Sequence, residues 1–267
     1  MTLSYATKNL PRFFLFLACL FLSGCGGVGG SLGEWLGVVD PPSPPVVTVD
    51  VLCDHSSGSS CDERSLASTL ELVLQRVVQS PGSEVRVWSM GDDLTSTVLV
   101  ARQSVTAPAK SGVRAQRAHD REFLNAAREV FQQATASMFS QHRRRSPIAE
   151  SLALVALSST PQTHHRIIVA LTDAREESRF AHFECGSLPS TEPFLDSLHA
   201  EGVLMPGSLA SVNVIFSFAG LTPVEADRCR ITIDRFTRTQ EIWRAVIQTA
   251  GGAFVFLTGG ITSGDLT

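Results

Sequence analysis

Oxygen-bearing side chains follow two apolar stretches of the chain and precede a third. Asp54 and Ser56 come directly after "VVTVDVLC", and Asp173 ends "RIIVALTD". Ser146 stands immediately before "PIAESLALVALSS". Carboxylate and hydroxyl oxygens suit Mg²⁺, which binds few protein groups and keeps several waters. If the fold brings these four residues together, they could hold a divalent ion and leave one coordination position open for a partner.

The segment "CDHSSGSSCD" carries two other possible chemistries. Cys53, His55 and Cys61 could bind a thiophilic metal. Ser56 and His55 could serve a hydrolase as nucleophile and base. Neither a G-x-x-x-x-G-K-[ST] nor an H-E-x-x-H motif occurs, so no motif indicates a nucleotidase or a metalloprotease. The hydrolase stays an alternative that no motif supports.

Apolar, β-branched runs that alternate with helical patterns must position these side chains. Residues 46–53 predict a buried strand, and 84–104 predict two short strands joined by a turn at "GDD". Further strands are predicted at 166–173 and 211–220, and 241–257 should form a helix, a Gly-Gly break and a last strand. The predicted helices before that segment are 62–80, 120–141 and 147–159.

Two of these helices have a clear apolar face at helical spacing. In the first, the face consists of Leu66, Leu70, Val73, Leu74 and Val77. In the second, it consists of Phe123, Ala127, Val130, Phe131 and Ala134. Each helix is therefore expected to bury one side against the sheet.

Strands separated by helices predict the α/β class, as a doubly wound three-layer α/β/α sandwich with a mostly parallel central sheet. The strand pair within 84–104 should add one antiparallel edge strand. In such sheets the functional crevice lies at the carboxyl ends of the strands. Asp54, Asp173 and the loop after residue 218 should therefore share one rim.

The amino-terminal residues resemble the signal of bacterial lipoproteins. A basic segment without acidic residues precedes "FFLFLACLFL", which is shorter than the roughly 20 apolar residues of a membrane-spanning helix. The following "LSGC" matches the lipobox and ends at Cys25. The resemblance implies a signal peptide at 1–24 and a lipid anchor on Cys25, with an ordinary signal peptide as the alternative. Because Gly26 is not aspartate, it also implies the bacterial cell envelope, with the outer membrane favoured where the host has one.

Residues 25–45 are rich in glycine and proline and predict a tether between anchor and domain. Gly24, Gly26 and Gly29 satisfy G-x-G-x-x-G, but no helix follows whose amino terminus could bind a phosphate. We therefore predict no dinucleotide site. The folded domain is predicted at 46–260, followed by a C-terminal tail at 261–267.

The charge distribution gives no sign of a nucleic-acid partner. The chain has 22 Lys and Arg against 26 Asp and Glu, and the basic run "HRRR" at 142–145 is short and isolated. Nucleic-acid binding domains usually present a basic patch or stripe. About 220 residues remain after the tether, which is a normal size for one α/β domain with a single core.

The ordered set of rim residues resembles the von Willebrand factor A (vWA) domain family. That family has Asp-x-Ser-x-Ser after its first strand, a threonine before a "plaeAL" helix and an aspartate at the end of its fourth strand. Together these residues form a metal-ion-dependent adhesion site (MIDAS). Asp54 and Ser56, Ser146 before "PIAESL", and Asp173 match those positions in order. The closing "AVIQTAGGAFVFL" is also similar to the family's last helix and strand, and the resemblance covers 46–258.

The resemblance implies a binding module that is not an enzyme. Asp54, Ser56, Ser146 and Asp173 would hold Mg²⁺, or Mn²⁺ or Ca²⁺ in its place. The ion would capture an acidic residue of another envelope or extracellular protein. The membrane would be a second partner through the lipid anchor, and no nucleic acid is implied.

Three positions depart from the family pattern. Gly58 stands where the family has its second serine, Ser146 replaces threonine and keeps the hydroxyl, and Ala174 replaces the glycine after the aspartate. Losing one hydroxyl ligand would weaken metal binding unless another serine of 57–60 reaches the ion. A metal-free envelope scaffold is therefore the alternative function.

Four cysteines of the predicted domain are taken by neither signal nor anchor. An even number in an exported domain suggests disulfides, although four cysteines allow three connectivities. In the vWA fold, Cys185 and Cys229 would lie in neighbouring rim loops, so the resemblance implies a Cys185–Cys229 bridge. Cys53 and Cys61 would then pair across the segment between them at 54–60, here called the serine loop. An oxidising compartment also argues against free thiolates in a metal site.

Overall fold

A six-stranded sheet organises the chain. The computed structural model describes residues 45–56, 61–140, 143–158, 165–183, 188–217 and 233–266. Its strands are β1 (Val47–Cys53), β2 (Glu84–Ser89), β3 (Val98–Ser104), β4 (His165–Leu171), β5 (Val212–Ser217) and β6 (Ala253–Leu257). Its α-helices are α1 (Glu63–Val77), α2 (Val113–Ala136), α3 (Ile148–Leu157), α4 (Thr191–Ala200) and α5 (Ile233–Thr249).

The strand order is β3-β2-β1-β4-β5-β6. All neighbouring strands are parallel except β2 and β3, which pair antiparallel. The predicted α/β class, with a mostly parallel sheet and one antiparallel edge strand, is therefore confirmed. Because β1 and β4 are parallel neighbours, the residues that follow them lie at the same rim of the sheet.

Two apolar layers cover the two faces of the sheet. On one face, Leu52 and Ile168 pack with α3, α4 and α5. On the other face, Val51 and Val169 pack with α1 and α2. Successive residues of a strand point to opposite faces, and all four are buried. Strands covered on both sides in this way confirm the predicted three-layer sandwich.

Helix α1 follows its predicted pattern, and the five apolar residues expected to face the sheet are all buried. Asp62 fixes its start, because Asp62 Oδ1 accepts from Ser65 N at 2.6 Å and Asp62 N donates to Ser65 Oγ at 3.0 Å. A cap of this kind typically contributes about 1 kcal/mol. The cap directly follows the buried Cys61.

Helix α2 differs from its prediction at both ends. It begins at Val113 rather than at residue 120, because "VRAQRAH" is rich in good helix formers and the break falls at Gly112, whose φ is 112°. It ends at Ala136, before a 3₁₀ turn at Met138–Ser140. The placement of Val130 on the buried face was wrong: it is 37% exposed, and the buried stripe of α2 is Ala127, Phe131 and Thr135.

The C-terminal residues pack on the sandwich. Ile261 and Leu266 are buried in the same apolar layer as α1. Arg76 Nε on that helix donates to Leu266 O at 3.3 Å. The segment predicted as a tail at 261–267 therefore contributes apolar side chains to the core.

Several predictions fall on residues outside those that the structure describes. These are the signal peptide, nearly all of the tether, and the residues Cys25, Gly58, Cys185 and Cys229. The Cys185–Cys229 bridge and the lipid anchor thus stay predictions. Among the helices of the described residues, none combines the length and the apolar character needed to cross a membrane.

A buried ion cluster lies inside β1, where the sequence pattern indicated only an apolar strand. Asp50 is fully buried. Its carboxylate accepts two hydrogen bonds from Arg86 on β2, at 2.7 and 2.8 Å, and one from Arg166 Nε on β4 at 2.9 Å. Trp88 Nε1 donates to the same carboxylate at 2.8 Å. One aspartate thus links the three neighbouring strands β2, β1 and β4.

The two arginines of this cluster also hold the C-terminal end of α3. Arg166 donates to Val155 O and to Ala156 O, the latter at 2.7 Å. Arg86 Nη1 donates to Ser158 O at 2.8 Å. The last carbonyls of a helix lack partners within the helix and favour positive charge. The cluster therefore fixes the C-terminal end of α3. The N-terminal end of the same helix lies next to the rim of the sheet.

Candidate metal site at the sheet rim

The end of β1 delivers Asp54 to the rim in a fixed orientation. Asp54 N donates to Leu171 O at 3.1 Å, which continues the pairing of β1 with β4. The side chain is buried, and Asp54 Oδ1 accepts from Ser56 N at 2.9 Å. A disulfide joins Cys53 to Cys61 with a Cα–Cα distance of 5.5 Å. It confirms this predicted pair and closes the serine loop next to Asp54.

The residues before α3 bring Ser146 to the same place. Ser146 Oγ lies 3.1 Å from Asp54 Oδ1 and donates to it, and it lies 2.7 Å from Ser56 Oγ. Arg143 pairs with Ser56 through an isolated β-bridge, which aligns the two segments. Ser146 therefore contacts two residues that lie about ninety positions earlier in the chain.

The end of β4 adds a third hydroxyl and a second carboxylate. Thr172 Oγ1 donates to Asp54 Oδ2 at 2.9 Å. The Asp173 side chain is buried and is contacted by Arg175, whose backbone N donates to Oδ1 at 3.0 Å and whose Nε pairs with Oδ2. Sequence reasoning missed Thr172 and Arg175 as members of the site. The one available signal was their position beside Asp173 in "LTDAR".

Burial makes both carboxylates of the site unusually basic. It raises the pKa of Asp54, against the hydrogen bonds from Ser56, Thr172 and Ser146 that lower it. Burial, followed by the negative charge of Asp54, raises the pKa of Asp173 to about 7. Arg175 opposes this rise and lowers the pKa. Two nearby carboxylates in a buried site favour the binding of a cation or of a proton.

The loop after β4 ties the site to the start of α3. Glu177 N donates to Ser146 O at 3.0 Å, and Glu176 Oε2 accepts from Ala149 N at 3.0 Å. Ala174 has a φ of 62°, and Trp243 Nε1 donates to its carbonyl at 2.8 Å. This left-handed conformation costs a non-glycine residue about 1 kcal/mol. Glycine does not have this conformational cost, so it would suit position 174 better than the alanine found here.

The donor set fits a hard divalent ion in its chemistry. Asp54, Ser56, Ser146 and Asp173 offer oxygen only, as Mg²⁺ prefers, and waters would complete the coordination. In the part of the chain that the structure describes, no three His, Cys, Asp or Glu side chains are grouped to hold a metal. An ion here would therefore depend on hydroxyl and water ligands.

The structure bears on both alternative chemistries of the serine loop, the thiophilic metal site and the hydrolase. The thiophilic metal site is wrong, because Cys53 and Cys61 are joined in a disulfide and offer no thiolate. His55 Nδ1 lies 3.7 Å from Cys53 Sγ, and its ring packs edge-on against Phe139 at 5.3 Å. Burial, and after it Arg143, lowers the pKa of His55 to about 4. Ser56 Oγ meets Ser146 instead, so no described contact pairs Ser56 with His55 as nucleophile and base.

The chain is similar to several solved structures at low sequence identity. No protein-family model matches the chain, and no curated protein matches it. Among solved structures it is similar to the von Willebrand factor type A from Catenulispora acidiphila, at 10% identity and a TM-score of 0.39, over 83% of this chain and 40% of that one. It is also similar to the PilB minor pilin from Streptococcus sanguinis, at 11% identity and a TM-score of 0.46, over 86% of this chain and 60% of that one.

A third similarity is to the pilus adhesin SpaC from Lactobacillus rhamnosus GG, at 8% identity and a TM-score of 0.42. It covers 84% of this chain and 29% of that one. This chain thus spans less than two thirds of each of the three proteins. A shared fold does not by itself imply a shared activity.

Proposed function

We propose that the domain at 46–260 is a vWA-like binding module that captures an acidic group of a partner protein through a divalent ion at the rim. Asp54, Ser56, Ser146 and Asp173 would hold the ion, with Mg²⁺ as the first candidate and Mn²⁺ or Ca²⁺ as substitutes. When bound, such an ion supplies positive charge and an open coordination position for a carboxylate oxygen. The module acts by binding and not by catalysis.

One observation carries this proposal. Asp54 and Ser56 lie about ninety residues before Ser146 in the chain, yet Ser146 Oγ lies 3.1 Å from Asp54 Oδ1 and 2.7 Å from Ser56 Oγ. Buried hydroxyls and carboxylates gathered in this way could also serve the fold alone. Burial raises the pKa of both Asp54 and Asp173, however, and two nearby carboxylates in a buried site favour the binding of a cation. A divalent ion would stabilise the ionised form of both carboxylates.

A metal-free scaffold is the second candidate function. The observation that favours it is the Arg175 guanidinium, which already pairs with Asp173. In that case the hydroxyls of Ser56 and Ser146 would only complete the hydrogen bonds of Asp54, and the partner would bind another surface. Addition of divalent ions would then leave both stability and partner binding unchanged.

We also propose that Cys25 carries a lipid that anchors the module to a bacterial envelope membrane. The support is the lipobox "LSGC" after a short apolar segment. The host protein should incorporate a labelled fatty acid, and Cys25→Ser should abolish the label. A labelled Cys25→Ser protein would contradict the anchor without affecting the metal site.

Replacing Ser146 by alanine tests the ion site itself. The substitution removes one oxygen ligand and leaves the fold of α3 intact, so the affinity for Mn²⁺ should fall at least about tenfold. Calorimetric titration of the purified domain measures the change. Ser158→Ala at the other end of α3 is the matched control, because its hydroxyl bonds only Val155 O within the described contacts, and it should bind Mn²⁺ like the wild type. Equal affinity of Ser146→Ala and the wild type would contradict the assignment of Ser146.

A further inference from the structure

Arg175 contacts the carboxylate of Asp173, which is one of the two carboxylates that an ion would need. Its Nε contacts Asp173 Oδ2, and its backbone N donates to Asp173 Oδ1 at 3.0 Å. Both oxygens of Asp173 are therefore in contact with the same residue. A guanidinium matches a carboxylate well and is always charged, so it is a strong local counter-ion.

The pair lies partly within the protein, where charge interactions are stronger than in water. The Asp173 side chain is 1% exposed, whereas that of Arg175 is 28% exposed. The carboxylate is thus fixed by burial, while the guanidinium keeps access to solvent and could move outward. The positive charge of Arg175 also lowers the pKa of Arg235, after burial as the larger cause, so a second guanidinium lies near it. Repulsion between the two favours release of Arg175 once Asp173 has another partner.

We propose that Arg175 is a tethered counter-ion that holds Asp173 when no divalent ion is bound, and that an ion must displace it to enter the site. This inference rests on the proposed function. Arg175 would then be a residue that sets the affinity and selectivity of the site: a divalent ion repays the lost Arg175–Asp173 contact, whereas Na⁺ or K⁺ carries too little charge to do so. Arg175 itself binds no ion.

Removal of the guanidinium should therefore tighten ion binding. In calorimetric titrations with Mn²⁺, the Arg175→Ala domain should bind about tenfold more tightly than the wild type, as expected for loss of a half-buried competing ion pair. Arg179→Ala is the matched control: it removes another rim arginine, which pairs with Glu150 and Glu201 and not with Asp173. Its Mn²⁺ affinity should stay within about twofold of the wild type.

Two further variants complete the experiment. Arg175→Lys keeps the charge but not the guanidinium fork, so its affinity should lie between the wild type and Arg175→Ala; it also covers the case in which Arg175→Ala fails to fold. Asp173→Asn should lose Mn²⁺ binding whichever residue occupies position 175.

The outcomes separate this inference from the function on which it rests. Mn²⁺ binding to the wild type, with equal or weaker binding by Arg175→Ala or Arg175→Lys, would overturn the role of Arg175 and leave the ion site in place. An equal gain in Arg179→Ala would also overturn it, because the effect would then come from the net charge of the rim. Absence of Mn²⁺ binding in every variant would overturn the ion site and this inference together.

Discussion

Replacement of Asp50 by alanine is expected to lower the free energy of unfolding by about 3–5 kcal/mol. Asp50 is the common acceptor of Arg86, Arg166 and Trp88 at the centre of the sheet. Without it, two guanidinium groups stay buried with like charge and no carboxylate between them. A buried charge that loses its partner costs far more than an exposed one, because water cannot replace the lost contact.

Removal of the Asp50 carboxylate should destabilise the rim of the sheet as well as the core. Arg86 and Arg166 hold the C-terminal carbonyls of α3, and the other end of this helix follows Ser146. Urea unfolding followed by circular dichroism measures the stability of the variant. Glu71→Ala is the control, because it breaks the exposed pair between Glu71 and Arg128 and should cost under about 1 kcal/mol. A loss for Asp50→Ala no larger than that of the control would contradict the role given to the buried cluster.

The second large effect is the pH dependence of stability at Glu176. This residue is fully buried, and burial raises the pKa of its carboxyl from 4.5 to about 8. Glu176 Oε2 accepts from Ala149 N in the first turn of α3, while Oε1 has no hydrogen-bond partner within the described structure. The folded state therefore holds the proton of Glu176 more tightly than the unfolded state does.

The sign of the effect follows from this difference. Below the unfolded pKa of 4.5, Glu176 is protonated in both states and its contribution to stability is complete. As the pH rises towards the folded pKa of about 8, the unfolded state is ionised while the folded state is not, so the contribution is progressively lost. Above that pH both states are ionised, and the loss levels off.

Glu176→Gln removes this titration and keeps an oxygen that can accept from Ala149 N. Between about pH 5 and pH 8 the stability of the wild type should fall relative to the variant by up to about 1.4 kcal/mol per pH unit. Urea unfolding at several pH values in this range measures both slopes, and the difference cancels the titration of all other groups. Parallel curves for the two proteins would show that Glu176 has an ordinary pKa in the folded state.

Much of the fold follows from local patterns in the sequence. Alternating apolar strands and helices predict the sandwich, and the antiparallel edge strand follows from two short runs joined by "GDD". The placement of Asp54 and Asp173 at one rim was also predictable, since parallel strands bring the residues that follow them to the same edge of the sheet. These features depend on periodicity and on chain order, which a single sequence contains. Ser146 precedes a helix instead, and only the resemblance to the vWA family placed it beside Asp54.

The residues that tune the site could not be predicted in this way. Asp50 reads as one polar residue in an apolar strand, and only the register of β1 with its two neighbours places Arg86 and Arg166 beside it. Arg175 folds back on Asp173 because the backbone is left-handed at Ala174. The sequence "TDAR" does not indicate this conformation. Pairings between distant segments depend on tertiary geometry, which local pattern and propensity do not contain.

The most direct test of the account is calorimetric titration of the wild-type domain and of Asp54→Asn with Mn²⁺ at neutral pH. Asp54 touches Ser56, Ser146 and Thr172, and asparagine keeps its shape while removing the charge that would hold an ion. We expect one ion per wild-type domain, and a loss of affinity of at least about a hundredfold in Asp54→Asn. A wild-type domain that binds no Mn²⁺, or an Asp54→Asn domain that binds it equally well, would contradict the ion site and favour the metal-free scaffold.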